Sequence, residues 1–333
     1  MTSTRKALVL GGTGAMGVYL VPELAAMGYQ VDVVSLDQVE SKDPRITYTQ
    51  ANAKDDSFLE GLLQNGYDAI VDFLIYSTAE FRRRHAMMLS HTEHYIFLST
   101  YRVYADSTPL TEDSPRLLNV SEDKAFLATE DYALFKARQE DILRASDFDN
   151  WTIVRPAITY SKFRFQLVTL EANTVVYRAK KGLPVLLPQE AMPVQATMSW
   201  AGDVAKMIAR LVLNPLAFKE TYNVATAEHR TWEEIANYYR EIIGLEYQTV
   251  DIDTYLSFFG ASRASGPGYQ LLYDRCFNRV VDNSKVLGIT GLRQSELMPL
   301  RAGLEKELSA LPEEIPWTGS AISERMDAYL RSL

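Results

Sequence analysis

Cysteine is nearly absent: Cys276 is the only one in 333 residues. An internal disulfide and a thiolate metal cluster are therefore excluded, and a reducing compartment fits. Histidine is scarce too, with His85, His91, His94 and His229 the only four. His91 and His94 stand close together, but no third ligand lies nearby, so both read as surface histidines and no metal is expected. Cations are outnumbered, 34 Lys and Arg against 43 Asp and Glu, for a net charge of -9. That balance argues against a nucleic-acid partner. The one basic cluster, Arg82-Arg83-Arg84, falls in an expected helix and reads as a solvated face or a subunit contact. No apolar run approaches the ~20 residues that span a bilayer. Met1 to Lys6 is polar and shows no signal-peptide pattern. A cytoplasmic chain with no membrane partner is the expectation.

Among the residues present, the stretch from Ala7 to Gly17 says most. The apolar run Ala7-Leu8-Val9-Leu10 ends in Gly11, Gly14 and Gly17, and an amphipathic segment from Val18 to Met27 stops at Gly28. The order is strand, tight turn, helix. Glycine permits positive φ, and the missing Cβ lets backbone approach a pyrophosphate at a helix N-terminus. An ordinary glycine turn is the plainer reading, but the flanking strand and helix supply the context that a dinucleotide motif requires.

Apolar runs and helical stretches alternate through the first half. Strands are expected at Val31–Ser35, Ile46–Gln50, Ala69–Leu74, Tyr95–Ser99 and Trp151–Arg155. Helices are expected at Phe58–Leu63, Phe81–Leu89 and Glu130–Ala145. Such alternation implies a parallel sheet with helices on both faces, an α/β Rossmann-like doubly wound fold, with ligands at the carboxyl ends of the strands. After Pro156 the pattern changes: helices are expected at Leu167–Lys181, Asp203–Leu213, Trp232–Ile243 and Ser320–Leu333, with a short strand at Tyr222–Ala225 and a loop at Gly260–Gly268. The expected division is a dinucleotide domain over 1–160, to which 196–226 returns. A smaller discontinuous α/β substrate lobe is expected from 161–195 and 227–333.

Tyr132 and Lys136 form Tyr-x-x-x-Lys, which sets both side chains on one helix face. A free tyrosine titrates near ~10, and an ammonium one turn away favours the phenolate, so a depressed Tyr132 is expected. Such a pair can move a proton from a substrate hydroxyl while hydride leaves its carbon. Tyr and Lys at this spacing are common by chance. Here Tyr95-Ile-Phe-Leu-Ser99-Thr100 also ends a strand in two hydroxyls, and Tyr101-Arg-Val-Tyr104 follows. A strand-end turn or a cap is the plainer role for Ser99 and Thr100.

Together, the glycine turn, the strand-end hydroxyls and Tyr-x-x-x-Lys resemble the extended short-chain dehydrogenases/reductases, and more narrowly the NAD-dependent epimerase/dehydratase family. The resemblance covers most of the chain. It includes the loop Thr108–Pro115, Arg155-Pro156, Met198–Ala205, Tyr222-Asn223-Val224 and Asp282–Gly288. It implies Thr100, Tyr132 and Lys136 as the catalytic set, with Thr100 on the reacting oxygen, Tyr132 as acid/base and Lys136 on the nicotinamide ribose. It implies cofactor contacts from Gly11, Thr13, Gly14, Ala15, Met16, Gly17, Asp37, Asn52 and Leu74 besides Tyr132 and Lys136. NAD is the implied cofactor, with NADP left open by Lys42 and Arg45. A hydroxyl-bearing substrate, above all a nucleotide sugar, is the implied substrate, and a homodimer through Phe81–Leu89 and Glu130–Ala145 the implied assembly.

Departures accompany the resemblance. Ser35 stands where an acidic residue is usual, with Asp37 two residues on. Leu74 and Ile75 are bulky where the family is often small. Tyr101-Arg102 replaces the acidic residues that accompany elimination or decarboxylation, and Ile158 stands near the position of a substrate-binding Asn. Phe163, Phe165, Trp200 and Trp232 could line a substrate pocket, with core packing the plainer role for most of them, and Arg155, Arg178, Arg230, Arg263, Arg275 and Arg279 are unranked candidates for substrate phosphate. A dissociable reductase of a small carbonyl compound and a non-catalytic nucleotide-sensing or RNA-associated relative are the competing readings.

Overall fold

The computed structural model describes residues 4–333. Its frame is a sheet of seven strands, built from β1 (Lys6–Leu10), β2 (Gln30–Ser35), β3 (Ile46–Gln50), β4 (Tyr67–Asp72), β5 (Thr92–Leu98), β6 (Trp151–Arg155) and a last strand, Glu220–Asn223. The spatial order runs last strand, β6, β5, β4, β1, β2, β3, and every pairing is parallel. The order reverses between β1 and β4, so a crevice opens above their carboxyl ends.

Side-chain alternation shows why β1 sits centrally. Ala7 and Val9 enter one core with Leu20, Val21 and Leu24 of helix α1 (Gly17–Ala26). Leu8 and Leu10 enter the opposite core with Leu59 of α2 (Asp56–Leu63) and Phe81 and Met88 of α3 (Thr78–Ser90). A strand buried on both faces is apolar throughout. The helix Ala201–Leu211 covers the first face beside α1, and the helix Tyr132–Arg144 lies beside α3 on the second.

The other lobe is built on a three-stranded sheet, in the order His229–Thr231, Gln195–Trp200, Ile158–Tyr160. The return to the main sheet therefore begins with the helix at Ala201, since 195–200 pairs within the smaller sheet. The helix Ser284–Thr290, expected in the substrate lobe, packs on the Ala201–Leu211 helix and the last strand, with Val286 in the core under α1.

Other departures have local causes. Leu167 does not begin a helix: Gln166–Leu167 and Leu170–Glu171 form a hairpin, and the helix spans Ala172–Lys180. The turn holds Val168 at φ +55°, a costly conformation for a β-branched residue that tertiary contacts impose. Strand β4 stops at Asp72, whose carboxylate accepts the Leu74 N–H at 2.9 Å and turns the chain.

His94 is a correction: it is fully buried, not a surface group. Its Nδ1 accepts the Leu213 N–H at 2.9 Å, so Nε2 carries the proton and donates to Thr152 Oγ1 at 2.8 Å. Desolvation pushes its pKa down to about 3. Between that value and the ~6.5 of an unfolded histidine, only the unfolded chain takes up the proton, so stability falls as pH drops through 6.5. Between pH 7 and 5 the native chain should lose about 2 kcal/mol more unfolding free energy than the His94→Asn variant. Urea unfolding at both pH values measures this; parallel losses would remove the assignment.

Candidate active site

The glycine turn divides into positions fixed by the chain and one that is not. Gly11 has φ +74°, and a Cβ there would press on Leu74 Cδ2 at 3.3 Å. At Gly12, missed by the three-residue spacing, a Cβ would meet Val33 Cγ1 at 2.7 Å and Val9 Cγ1 at 2.9 Å. At Gly17 it would collide with the backbone of Gly12. At Gly14 it would meet only the Gly11 carbonyl at 3.6 Å, an ordinary contact. No intrachain packing demands glycine at 14. An external group seated on the turn would, and no side chain caps α1 at Met16. The residues present fit a dinucleotide pyrophosphate.

Beside the turn, Thr13 Oγ1 lies 2.6 Å from both Ser35 Oγ and Asp37 Oδ2, and the Asp37 N–H donates to Ser35 Oγ at 3.0 Å. Asp37 is thus drawn inward over the glycines. Arg45 is held away from it, by Asp43 at 2.7 Å and the Ala25 carbonyl at 2.7 Å. Asn52 is exposed and accepts the Lys54 N–H at 3.0 Å in an Asx turn. Leu74 packs on Gly11, and Ile75 stands exposed on the cavity rim.

A cavity of about 390 Å³ lies where the two lobes meet. Met16, Leu98, Thr100, Tyr132 and Ile158 line it, with Arg102, Arg164 and Arg275. Thr100 caps the short turn Tyr101–Val103, accepting the Arg102 N–H at 3.2 Å, so the cap and a cavity-lining hydroxyl are the same group. Tyr132 is the first residue of its helix, because Asp131 accepts the Ala133 N–H at 2.9 Å and starts the helix there rather than at Glu130.

Lys136 lies beneath this cavity. It is buried, donates to the Leu98 carbonyl at 2.6 Å and sits 4.7 Å from the Phe97 ring centre. Desolvation pushes its pKa down to about 8, while Asp72 and Glu140 hold it up. The expected phenolate stabilisation of Tyr132 by Lys136 is not what this geometry provides. Burial raises the Tyr132 pKa, and Arg102 and Arg164 are the charges that lower it. The Arg102 guanidinium lies 5.3 Å from the Tyr132 ring centre. The pKa of the Tyr132 phenol is therefore raised rather than depressed.

Of the six candidate arginines, only Arg275 lines the cavity. Arg155, Arg178 and Arg279 are buried and spent on Glu140, Asp327 and Asp274. Arg230 pairs with Glu228 and Arg263 with Asp253. Arg102 and Arg164, which line the cavity as well, are not among those six candidates. A basic residue two places after Thr100 was the available signal for the first; nothing marked the second. Among the described residues, no group of three or more His, Cys, Asp and Glu could hold a metal ion, and no helix is long and apolar enough to cross a membrane.

The fold and turn define a nucleotide-binding α/β protein, and comparison with known proteins gives the family. A family model described as NAD(P)H-binding matches residues 11–215, more than half the chain, and the chain belongs to that family. It is 24% identical over 251 residues to the chloroplast stem-loop binding protein of 41 kDa b of Arabidopsis thaliana, which covers 71% of this chain. The chain spans 62% of that relative's length. The structure superposes on the Thermus thermophilus UDP-glucose 4-epimerase complex with NAD, with TM-score 0.66, 19% identity, and coverage of 91% of this chain and 98% of that one. It also superposes on the Bacillus cereus UDP-glucuronic acid 4-epimerase in complex with UDP-glucuronic acid and NAD (TM-score 0.68, 14% identity, coverage 91% and 98%). These likenesses show that the chain shares the Rossmann-like α/β fold of those two epimerases.

The contrast between Gly14 and Gly17 is testable. Gly14→Ala should leave stability within ~0.5 kcal/mol yet weaken NAD(H) binding about tenfold or more. Gly17→Ala should cost at least ~2 kcal/mol. Thermal unfolding and nucleotide titration separate the two; a Gly14→Ala protein with native nucleotide affinity would show that Gly14 faces no ligand.

Proposed function

We propose that the chain is an NAD(P)-dependent oxidoreductase or epimerase acting on a hydroxyl-bearing substrate, with a nucleotide sugar as the leading substrate class. The observation that carries the reading is the meeting of Thr100 and Tyr132 on one cavity at the carboxyl ends of the strands, beside Met16 of the glycine turn. A bound nicotinamide supplies hydride exchange there. Thr100 hydrogen-bonds the reacting oxygen, and Tyr132 holds the proton that this oxygen gains or gives up. Lys136, fixed to the Leu98 carbonyl behind the cavity wall, positions the floor and meets the ribose side. Gly11, Gly14 and Gly17 carry the pyrophosphate turn with the Thr13, Ala15 and Met16 backbone. Asp37, held over the turn by Thr13, takes the ribose hydroxyls and disfavours a 2′-phosphate, which supports NAD over NADP. Asn52 and Leu74 flank the adenine and nicotinamide ends.

The bulky Ile75 on the cavity rim and the apolar Ile158 in its wall, where a substrate-binding Asn is usual, favour one second reading, a dissociable reductase of a small carbonyl compound. Mass spectrometry of nucleotide released on denaturing fresh protein distinguishes the two. Retained NAD supports the internal redox cycle of an epimerase; an empty protein that binds added NADH supports the reductase. An empty protein that binds neither NADH nor NADPH removes both and directs attention to stem-loop RNA, as the plant relative's name suggests. In either enzyme, Tyr132→Phe should lower turnover at least ~100-fold with nucleotide affinity kept. Full activity in that variant would refute the role of Tyr132.

A further inference from the structure

The cavity is cationic in a chain that is acidic overall. Three guanidiniums line it, Arg102, Arg164 and Arg275, against the single carboxylate of Glu171. The three differ in how far their donors are used. Arg275 is fully engaged: it donates to the Val168 carbonyl at 2.8 Å and to Tyr101 Oη at 3.2 Å, and it pairs with Asp274. It belongs to the scaffold.

Arg102 and Arg164 are not so engaged. Among the described residues, the Arg102 guanidinium donates no hydrogen bond, and its buried Nε has no partner. Two carboxylates lie near it, Asp131 at 3.5 Å and Asp274 at 3.7 Å. Both are committed elsewhere: Asp131 caps its helix, and Asp274 takes Arg275 and, at 3.0 Å, Arg279. Arg164 touches only Glu171, at 3.8 Å, while Glu171 also receives Gln166 Nε2. A guanidinium carries five donors in a fixed fork that matches a carboxylate or phosphoryl group. Leaving such donors unmet in a half-enclosed cavity is costly unless a ligand completes them.

We propose that Arg102 and Arg164 form an anion subsite that holds a carboxylate or phosphoryl group of the substrate next to the Tyr132 hydroxyl. The proposal rests on the functional reading above and narrows its substrate class to molecules with a negative group close to the reacting carbon. Tyr132 sits against the Arg102 guanidinium, so the anion and the reacting oxygen occupy adjacent positions. Gln270, also on the cavity wall, offers a neutral donor near the same group.

Calorimetric titration of the full chain saturated with NADH tests this. UDP-glucuronic acid against UDP-glucose compares a carboxylate with a neutral group on one scaffold, and glucose 6-phosphate against glucose does the same for a phosphoryl group. In at least one pair the anionic member should bind about tenfold tighter or more, and that pair names the source of the anion. In R102Q and R164Q the preference should fall below about twofold with NADH affinity unchanged. The Arg164 side chain is partly exposed and its one ion pair, with the exposed Glu171, is long at 3.8 Å, so R164Q keeps the test valid if R102Q folds poorly. Equal affinities within both pairs, no binding of either anionic member, or a preference that survives in R164Q would overturn the proposal. NADH titrated alone separates this from the parent reading. A chain that fails to bind NADH yet keeps the anion preference loses its redox assignment and retains the subsite.

Discussion

The structure depends on one buried ion pair, Glu140 with Arg155. Both side chains are excluded from water, and that alone would raise the carboxylate's pKa and destabilise the fold. The carboxylate instead receives five donors: Arg155 Nε at 2.8 Å and Nη2 at 2.6 Å, Ser99 Oγ at 2.5 Å, and Arg116 and Arg144 at 3.2 Å each. The charge and hydrogen bonds of Arg155 overcome desolvation and hold the Glu140 pKa down to about 2. The pair fastens the Tyr132–Arg144 helix to β6 and to the end of β5. Arg155 then passes the constraint on, donating to Tyr104 Oη at 2.7 Å, which donates to Asn223 at 2.7 Å on the last strand. Tyr132, Lys136 and Glu140 lie one turn apart on a single helix face. Docking Glu140 therefore sets where Tyr132 meets Thr100.

The nucleotide side is fixed by exclusion of atoms rather than by charge. Gly12 and Gly17 let β1, β2 and α1 close to distances no side chain allows, and Gly11 supplies the positive φ that turns the chain under Leu74. Of these turn glycines, Gly14 alone is left without a packing demand from the chain. Steric closure makes the turn, and a small hydrogen-bonded cluster of Thr13, Ser35 and Asp37 stands beside it.

The frame was legible because its signals are local. The β1 run, the glycine spacing and the β3, β6 and Trp232–Ile243 spans follow from periodicity and caps, the last helix opening on a capping box of Thr231 and Glu234. What escaped depends on partners far along the chain. His94 looks like a polar link until Leu213 and Thr152 come round to it. Val168 turns a hairpin where helix formers surround it, because Arg275, more than a hundred residues later, takes its carbonyl. Glu140 reads as one more surface acid in an amphipathic helix. The cavity arginines were the least legible: those that looked available are spent on carboxylates of the chain, and Arg102 and Arg164 show their character only through the bonds they fail to make.

That redistribution of charge bears on the protonation of Tyr132. The spacing of Tyr132 and Lys136 suggested an ammonium pulling the phenol toward its anion. Burial instead favours the neutral phenol, and Lys136 spends its charge on Leu98 and between Asp72 and Glu140. The cations that do reach Tyr132, Arg102 and Arg164, open onto the cavity rather than lying behind it. Their pull on the phenol is consequently contingent on what else the cavity holds. With the cavity free of anions they ease loss of the proton. A negative group seated between them would cancel that pull and leave desolvation to dominate, so that Tyr132 keeps its proton when an anionic substrate is in place.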